Sequence, residues 1–552
     1  MEKITVFRAR KVVTMDPGRP VAEAIAVMGG RVLSTGTVAS MKPWLARHEH
    51  TFDDTLAGKV VFPGLIDPHT HFGWSSGLMA LVYVGPIESA GPRGMNPALH
   101  THEQVVEKLR EAHRAERDPR APLIAWGLDP ALQGGHLHRD ELDGISRERP
   151  MWVISYAPHF VYVNSAALAT LGLDDKSEVH GMQRYPDGRR NGVFAEIEAT
   201  RLALAGVRSE MNKGGGAAGI RRMGQVAKAA GITTSAEMVF GFTDFETEWR
   251  MHDEAVNDPA FPLRMGLVPL ENPLYKSHGA KAADFLLSVR DRNTDKLFFH
   301  GVKYLSDGSF PAMSLRLNFP GYLDGGNGLR NDVPWDELHE RMLPFWRAGI
   351  QIHCHANGDE AIDASLDALA RLQAIEPRFD HRFTIEHYCI STPEQARRLK
   401  ALGGCASVNN YFVHYRSQLH SEQGFGPDRS EAIARLGSLE RAGVPFALHS
   451  DFSLVVVPLH PLTAAWAAVN RVAKDGKTVM APGERIGVDR AMRAITVDAA
   501  YILGLERQVG SLEPGKFADF AVLEEDPYEV DPMKLKDIRV WGTVLGGKVQ
   551  PA

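Results

Sequence analysis

Residues Val60 to His71 read VVFPGLIDPHTH, and this stretch decides how the rest of the chain is placed. An apolar, strand-forming run ends in Asp67-Pro68 and then His69-Thr70-His71. Side chains on a β-strand alternate between faces, so histidines at i and i+2 point the same way. Two imidazoles on one face at the end of a buried strand make half of a metal site. A His-x-His pair alone is weak evidence, because histidine pairs are more often surface or satisfied core residues. Its weight depends on what recurs downstream.

Seven more apolar runs follow, at 231–238, 262–270, 297–305, 350–356, 382–388, 403–410 and 444–451. Helical patterns intervene, for example DEAIDASLDALARLQAIE (359–376) and TPEQARRLKAL (392–402). With the first run this makes eight strand–helix units, the pattern of an α/β protein built as a (β/α)8 TIM barrel. Active sites of that fold lie at the C-terminal ends of the strands. There the sequence places His69 and His71 on strand 1, Lys303 on strand 4, His355 on strand 5, His387 on strand 6 and Asp451 on strand 8. Buried Lys, Asp and His are costly unless paired or liganded. Reading them as unrelated polar residues requires the same coincidence on five strands.

The flanks are different. Residues 1–59 are short strands with turns, including two apolar runs joined by Gly29-Gly30, a hairpin signal. A matching pattern returns only in residues 505–552, at GSLEPGKFADFAVLEEDP and DIRVWGTVLGGKV. Each end is too short to form a stable sheet alone, so both are expected to build one small β-sandwich domain. The barrel is then 60–504. Between about 73 and 222 the strand–helix rhythm is lost for longer than any loop allows, which predicts an inserted α/β subdomain after strand 1. The run GGGAAG at Gly214–Gly219 satisfies a dinucleotide-binding pattern but follows the polar SEMNK instead of an apolar strand. It is read as the start of a helix.

The bulk numbers exclude several classes. At 552 residues, with 44% hydrophobic and 24% charged residues and a formal net charge of −6, the composition is that of a soluble enzyme. Mild acidity gives no reason for a nucleic-acid or anionic-membrane partner. Three cysteines with no paired spacing fit a reducing compartment. The first residues lack a signal-peptide core, and no apolar run is long enough to span a bilayer. The expectation is a cytoplasmic protein acting on a small molecule.

The motifs GLIDPHTH, GVKYLSDGS, HANGDEAI, TIEHY and HSDFS, in this order and spacing, resemble the metal-dependent amidohydrolase superfamily. The likeness is to amidohydrolase family 3, the long branch that includes N-substituted formamide deformylase. GSLEPGKFADFAVL resembles that family's C-terminal β-sandwich, while HFVYVNSAAL and GVFAEIEA resemble parts of the branch's insertion. The resemblance implies that His69, His71 and Asp451 bind one divalent ion and that His355 and His387 bind a second. It implies further that Lys303 carries a CO2-derived carbamate bridging the two, since an ammonium cannot bind a cation. The competing reading of Lys303 is a pocket lysine holding a substrate carboxylate. Zinc suits such ligands best, with Mn, Fe or Co as alternatives. His353 shares a strand face with His355 and is read as packing below the metals. His159 matches a histidine of the branch's insertion and is read as a substrate or oxyanion contact, with a structural histidine as the alternative. Asp307 is read as supporting the site or forming a turn. Trp74, Trp126, Phe310 and Tyr411 are candidates for an aromatic pocket wall, against core packing. Related hydrolases are often homo-oligomers, which makes a dimer the expectation.

Two divalent ions sharing a water lower its pKa toward ~7. Asp451 would take the proton and deliver it to the leaving nitrogen. The function expected is hydrolysis of an amide-type C–N bond (N-acyl or N-formyl amine, or carbamate). The alternatives are esters, lactones, cyclic amides or deamination on the same metals, and a non-catalytic regulatory protein on the hydrolase scaffold. Asn409-Asn410-Tyr411 and Phe310-Pro311-Ala312 depart from the branch's usual residues after strands 7 and 4. Those departures bear on the substrate, not on the metals.

Overall fold

The computed structural model describes residues 3–91, 94–118, 120–156, 160–330, 333–453, 455 and 457–552. The chain divides into two compact units, one of residues 1–70, 224–450 and 459–552, the other of residues 71–223 and 451–458. In the first, eight short parallel strands follow one another in chain order: Leu65–Thr70, Ile232–Phe240, Arg264–Pro269, Leu297–Phe299 continued by Val302–Leu305, Ile352–Ala356, Thr384–His387, Cys405–Val408 and Phe446–Leu448. The fourth strand is broken at Gly301, whose φ is +68° and whose Cβ, if it had one, would meet the His353 ring at 2.8 Å. The last strand is tied to the first by the Ser450 N–H, which donates to the Asp67 carboxylate at 3.2 Å. Helices separate the strands where the sequence supplies caps. Thr392 and Gln395 form a reciprocal capping box with Pro393 in the first turn of helix Pro393–Ala401, and Asp359 and Glu360 open helix Asp359–Ile375.

The run expected to be one strand from Val60 to His71 is two. It breaks at Gly64, where a Cβ would lie 1.8 Å from Thr233 Oγ1. Val60–Pro63 pairs antiparallel with Phe520–Leu523 and parallel with Ile4–Val13, so it belongs to the sheet of the termini. That sheet orders Lys548–Pro551, Val540–Leu545, Phe520–Leu523, Val60–Pro63, Ile4–Val13, Val21–Met28 and Arg31–Gly36, with His50–Asp53 joined to Ile4–Val13. Among the described residues, hydrogen bonding joins both termini in a single eight-stranded sheet. Small apolar clusters fill around it, one of Phe7, Ile25, Val61, Leu512, Phe520 and Val544, the other of Val6, Ala24, Met41 and Leu45.

The terminal sheet is locked to the parallel strands by a buried ion pair. Arg264 Nε and Nη2 donate to the two oxygens of Asp519 at 2.6 and 3.2 Å, and the Gly546 N–H donates to the same carboxylate at 2.7 Å. The Arg264 guanidinium also covers the Phe517 ring at 3.5 Å. Burial makes each partner depend on the other, since a lone buried charge is expensive.

The second unit has its own mixed sheet, in the order Met182–Arg184, Arg190–Ala195, Phe160–Val163, Met151–Ser155, Leu123–Leu128 and Val82–Tyr83. Helix His102–Ala115, opened by a Thr101–Gln104 capping box, buries Val105 and Leu109 in a core with Leu123, Val153 and Tyr162. The GGGAAG run falls at the end of helix Arg208–Gly214 and the start of helix Gly216–Ala229, with no preceding strand. Among the described residues no helix is long and apolar enough to cross a membrane. Removing the carboxylate in Asp519→Ala is expected to cost about 3–5 kcal/mol, read as a lowered denaturant midpoint; an unchanged midpoint would contradict the locking role.

Candidate metal centre

In the first unit, strand ends bring imidazoles together. The donor nitrogens of His69, His387 and His449 lie within 4.8 Å of one another, and all three residues are buried. The His69 ring stacks on His449 with centroids 4.4 Å apart, while His387 stands 4.8 Å from His69 and 5.1 Å from His449 at steep angles. The His355 ring is 4.5 Å from His387. His355 lies outside the tight cluster, and Asn357 Nδ2 donates to its Nε2 at 2.9 Å and to the Gly308 carbonyl at 2.9 Å.

Simple alternation does not explain these positions. Between Asp67 and Thr70 the first strand carries one residue more than its neighbour between Ser235 and Glu237. Such a bulge re-aims the side chains beyond it, here His69. On the sixth strand the register pairs Glu386 with His355 and Ala356 with His387, so Glu386 shares the face of His355. His387 alternates away from that face, yet its ring joins the cluster. Its φ of +75°, followed by +47° at Tyr388, turns the chain at that point. Left-handed backbone at non-glycine residues costs on the order of 1–3 kcal/mol each and gathers at functional sites.

Beneath the imidazoles is Glu386, fully buried. His69 Nδ1 donates to its Oε2 at 2.6 Å and His353 Nδ1 donates to its Oε1 at 2.7 Å. Burial pushes this carboxyl up. The Lys303 ammonium, His69 and the hydrogen bonds from His353 and His69 outweigh burial and hold it well below the usual carboxylate range. Lys303 is itself buried and stands in register beside His353. His353 thus packs beneath the cluster, and burial lowers its pKa.

Asp307 accepts the N–H groups of Asn357, Gly358 and Arg316 at 2.9, 2.9 and 3.0 Å, fastening the loop after strand 4 to the turn after His355. Burial raises its pKa to about 7 despite these donors. In the second unit, His71 Nε2 and Asp451 Oδ1 are 2.7 Å apart, and Asp451 also has a left-handed φ of +60°. His159 lies outside the described residues.

The aromatic candidates are mostly packing. Phe310 is stacked between Phe412 and His420, each 4.6 Å away, and His420 Nε2 donates to the Phe310 carbonyl at 3.1 Å. The Tyr411 hydroxyl donates to the His460 carbonyl at 2.7 Å. Trp126 packs on Tyr83 at 5.0 Å, and Trp74 is half-buried. Asn409 Nδ2 donates to the Ser450 carbonyl at 2.9 Å and Asn410 Nδ2 to the Ala464 carbonyl at 2.7 Å, so the unusual Asn-Asn pair braces the end of strand 8.

The sequence reading did not single out Glu386 or His449. The signal for Glu386 was a charged residue inside an apolar strand, one before a ligand candidate. For His449 it was a histidine two residues before Asp451.

The class of protein is thus an α/β protein with histidines gathered at the C-terminal ends of parallel strands. The chain belongs to the amidohydrolase family, whose sequence profile matches residues 55–550. It is 28% identical over 544 residues to Protein LONG AFTER FAR-RED 3 of Arabidopsis thaliana, covering 97% of this chain and 89% of that one. It is 23% identical over 548 residues to the N-substituted formamide deformylase of Arthrobacter pascens, covering 97% and 96%. Among solved structures, an uncharacterized metal-dependent hydrolase from Pyrococcus horikoshii superposes with a TM-score of 0.72 at 18% identity, covering 96% of this chain and 99% of that one. That superposition shows the fold.

Asp307 yields a pH prediction. Its folded-state pKa of about 7 is above the ordinary 3.8, so its contribution to stability is full below about pH 4 and is lost as pH rises through 7. The difference in melting temperature between metal-free wild type and Asp307→Asn should therefore fall from pH 4 to pH 8 in scanning fluorimetry. A difference independent of pH would contradict it.

Proposed function

We propose that the protein is a metal-dependent hydrolase cleaving an amide-type C–N bond, on eight parallel strands closed as a (β/α)8 barrel. The observation that carries this reading is the convergence of buried imidazoles with His69 fixed by Glu386. A histidine that gives its Nδ1–H to a carboxylate has the lone pair on Nε2, the arrangement of zinc-binding histidines. The donor set fits a divalent ion: neutral imidazoles with a carboxylate on the same run of chain suit zinc, and also Mn, Fe or Co.

On this reading His69, His71 and Asp451 would hold one ion, with His71 two residues beyond His69 in sequence. His387 and His355 would serve a second, and Lys303, an ammonium beside Glu386 in the metal-free chain, would supply a ligand once carboxylated by CO2. Divalent ions held there would supply Lewis-acid polarisation of a carbonyl and a lowered pKa for the attacking water. The protein's own part is proton handling. The Asp451 carboxylate accepts the proton from the attacking water and passes it to the leaving nitrogen, which departs poorly as an anion. The left-handed φ of +60° at Asp451 is a conformation that persists only where the surrounding structure over-determines it. The full-length likeness to a formamide deformylase supports N-formyl and N-acyl amines as the substrates to try first.

The test is amine release from a panel of N-formyl, N-acetyl and carbamoyl amines by metal-replete enzyme, beside Asp451→Asn and chelator-treated protein. Wild type should turn over at least one member, chelation should abolish turnover, and Zn or Mn should restore it. Asp451→Asn should lose about 10²–10⁴-fold in kcat with metal content retained by elemental analysis. Full turnover by that variant would remove the shuttle. Silence on amides with turnover of esters or lactones would replace the C–N reading.

A further inference from the structure

The alternation of the sixth strand delivers Glu386, not His387, to the face occupied by Lys303, His353 and His355. Both of its oxygens are engaged by ring nitrogens from two other strands, His69 Nδ1 on the first and His353 Nδ1 on the fifth. The line continues one residue further: His353 Nε2 lies 3.3 Å from His300 Nε2, at the break in the fourth strand. All four side chains are buried or nearly so.

An ionised Glu386 fixes the protons of the two rings that meet it. An ionised carboxylate only accepts, so His69 and His353 must each carry their proton on Nδ1. His353 Nε2 is then left as an acceptor, and it faces His300 Nε2. The two donations converge on Glu386, and the one from His69 leaves Nε2 as the nitrogen that His69 offers to a ligand.

We propose that Glu386 is the positioning residue of the metal centre: it sets the tautomer and orientation of His69, and the His353–His300 pair in turn holds Glu386. The proposal rests on the metal-centre reading above and adds residues to it. Both Glu386 oxygens are taken up by His69 and His353, so Glu386 would act through His69. Its role explains why a carboxylate is kept where apolar packing would be less costly, since a buried charged network is a poor source of stability by itself. The same hydrogen bonds predict that a hydrogen-bond donor other than histidine can stand at 353.

The experiment has two readouts. The first is long-range 15N correlation spectroscopy on metal-free, histidine-labelled protein, with the His69 signals assigned by their loss in His69→Gln. Wild type should show His69 protonated on Nδ1 alone, and Glu386→Gln, the same size but unable to accept from both rings, should show mixed tautomers. The second is zinc affinity by chelator competition, where Glu386→Gln should weaken binding about 10–100-fold with its circular dichroism unchanged. His353→Gln, which keeps a donor toward Glu386, should stay within about threefold of wild type, while His353→Leu should weaken binding about tenfold or more.

A Glu386→Gln protein with the wild-type tautomer and wild-type affinity would overturn the proposal. If Glu386→Gln does not fold, the two His353 variants decide: equal affinities for Gln and Leu would overturn it. A wild type that binds no zinc would sink the metal-centre reading, yet the tautomer measurement would still decide for or against Glu386 as the anchor of His69.

Discussion

A carboxylate removed from water must be matched group for group, and Glu386 is the point where this protein meets that requirement. Its negative charge is buried under a cluster of imidazoles. It is held by two ring N–H donors and by the nearby Lys303 ammonium. Those compensating groups come from the first, fourth and fifth strands. One charge thus binds together elements far apart in sequence and fixes the orientation of the histidine that opens the chain's most informative motif. Without Glu386, His69 could present either nitrogen.

The second constraint is on the backbone. Regular parallel strands would send Glu386 and His387 to opposite faces, yet both belong to the same centre. The chain meets this on the sixth strand with left-handed residues at His387 and Tyr388, while a bulge in the first strand re-aims His69. Such conformations persist only where surrounding structure over-determines them. Here the surroundings include the Asp307 carboxylate gathering three N–H groups, Asn409 on the Ser450 carbonyl, and the stacked Phe310, Phe412 and His420 that brace the loops after strands 4 and 7 against each other. The two places where the sequence departs from the branch's usual residues are these bracing points. Their first-order role is to hold loops, and any effect on substrate choice follows from the shape so imposed.

Beyond the centre, the termini do structural work that is local to neither. The sheet they form includes Val60–Pro63, the segment leading into the first parallel strand, and the Arg264–Asp519 pair anchors it to the third. The strand that carries His69 is thus held from behind by residues hundreds of positions later in the chain.

The eight apolar runs, their helices and the polar residues at their ends were legible in the sequence, because strand and helix periodicity and the rarity of buried charge are local properties. His69, His355, His387 and Lys303 were singled out that way as strand-end residues. The break at Gly64 was not legible, since it depends on Thr233 filling the space a side chain would need. The same holds for Glu386 and His449: a glutamate in an apolar strand marks itself as unusual, but which groups neutralise it is settled only when four strands are in register. By itself the sequence determined which residues had to be buried and at what spacing. Only the tertiary structure decided which nitrogen each histidine presents, because tautomer and orientation are set by hydrogen-bond partners that are distant along the chain.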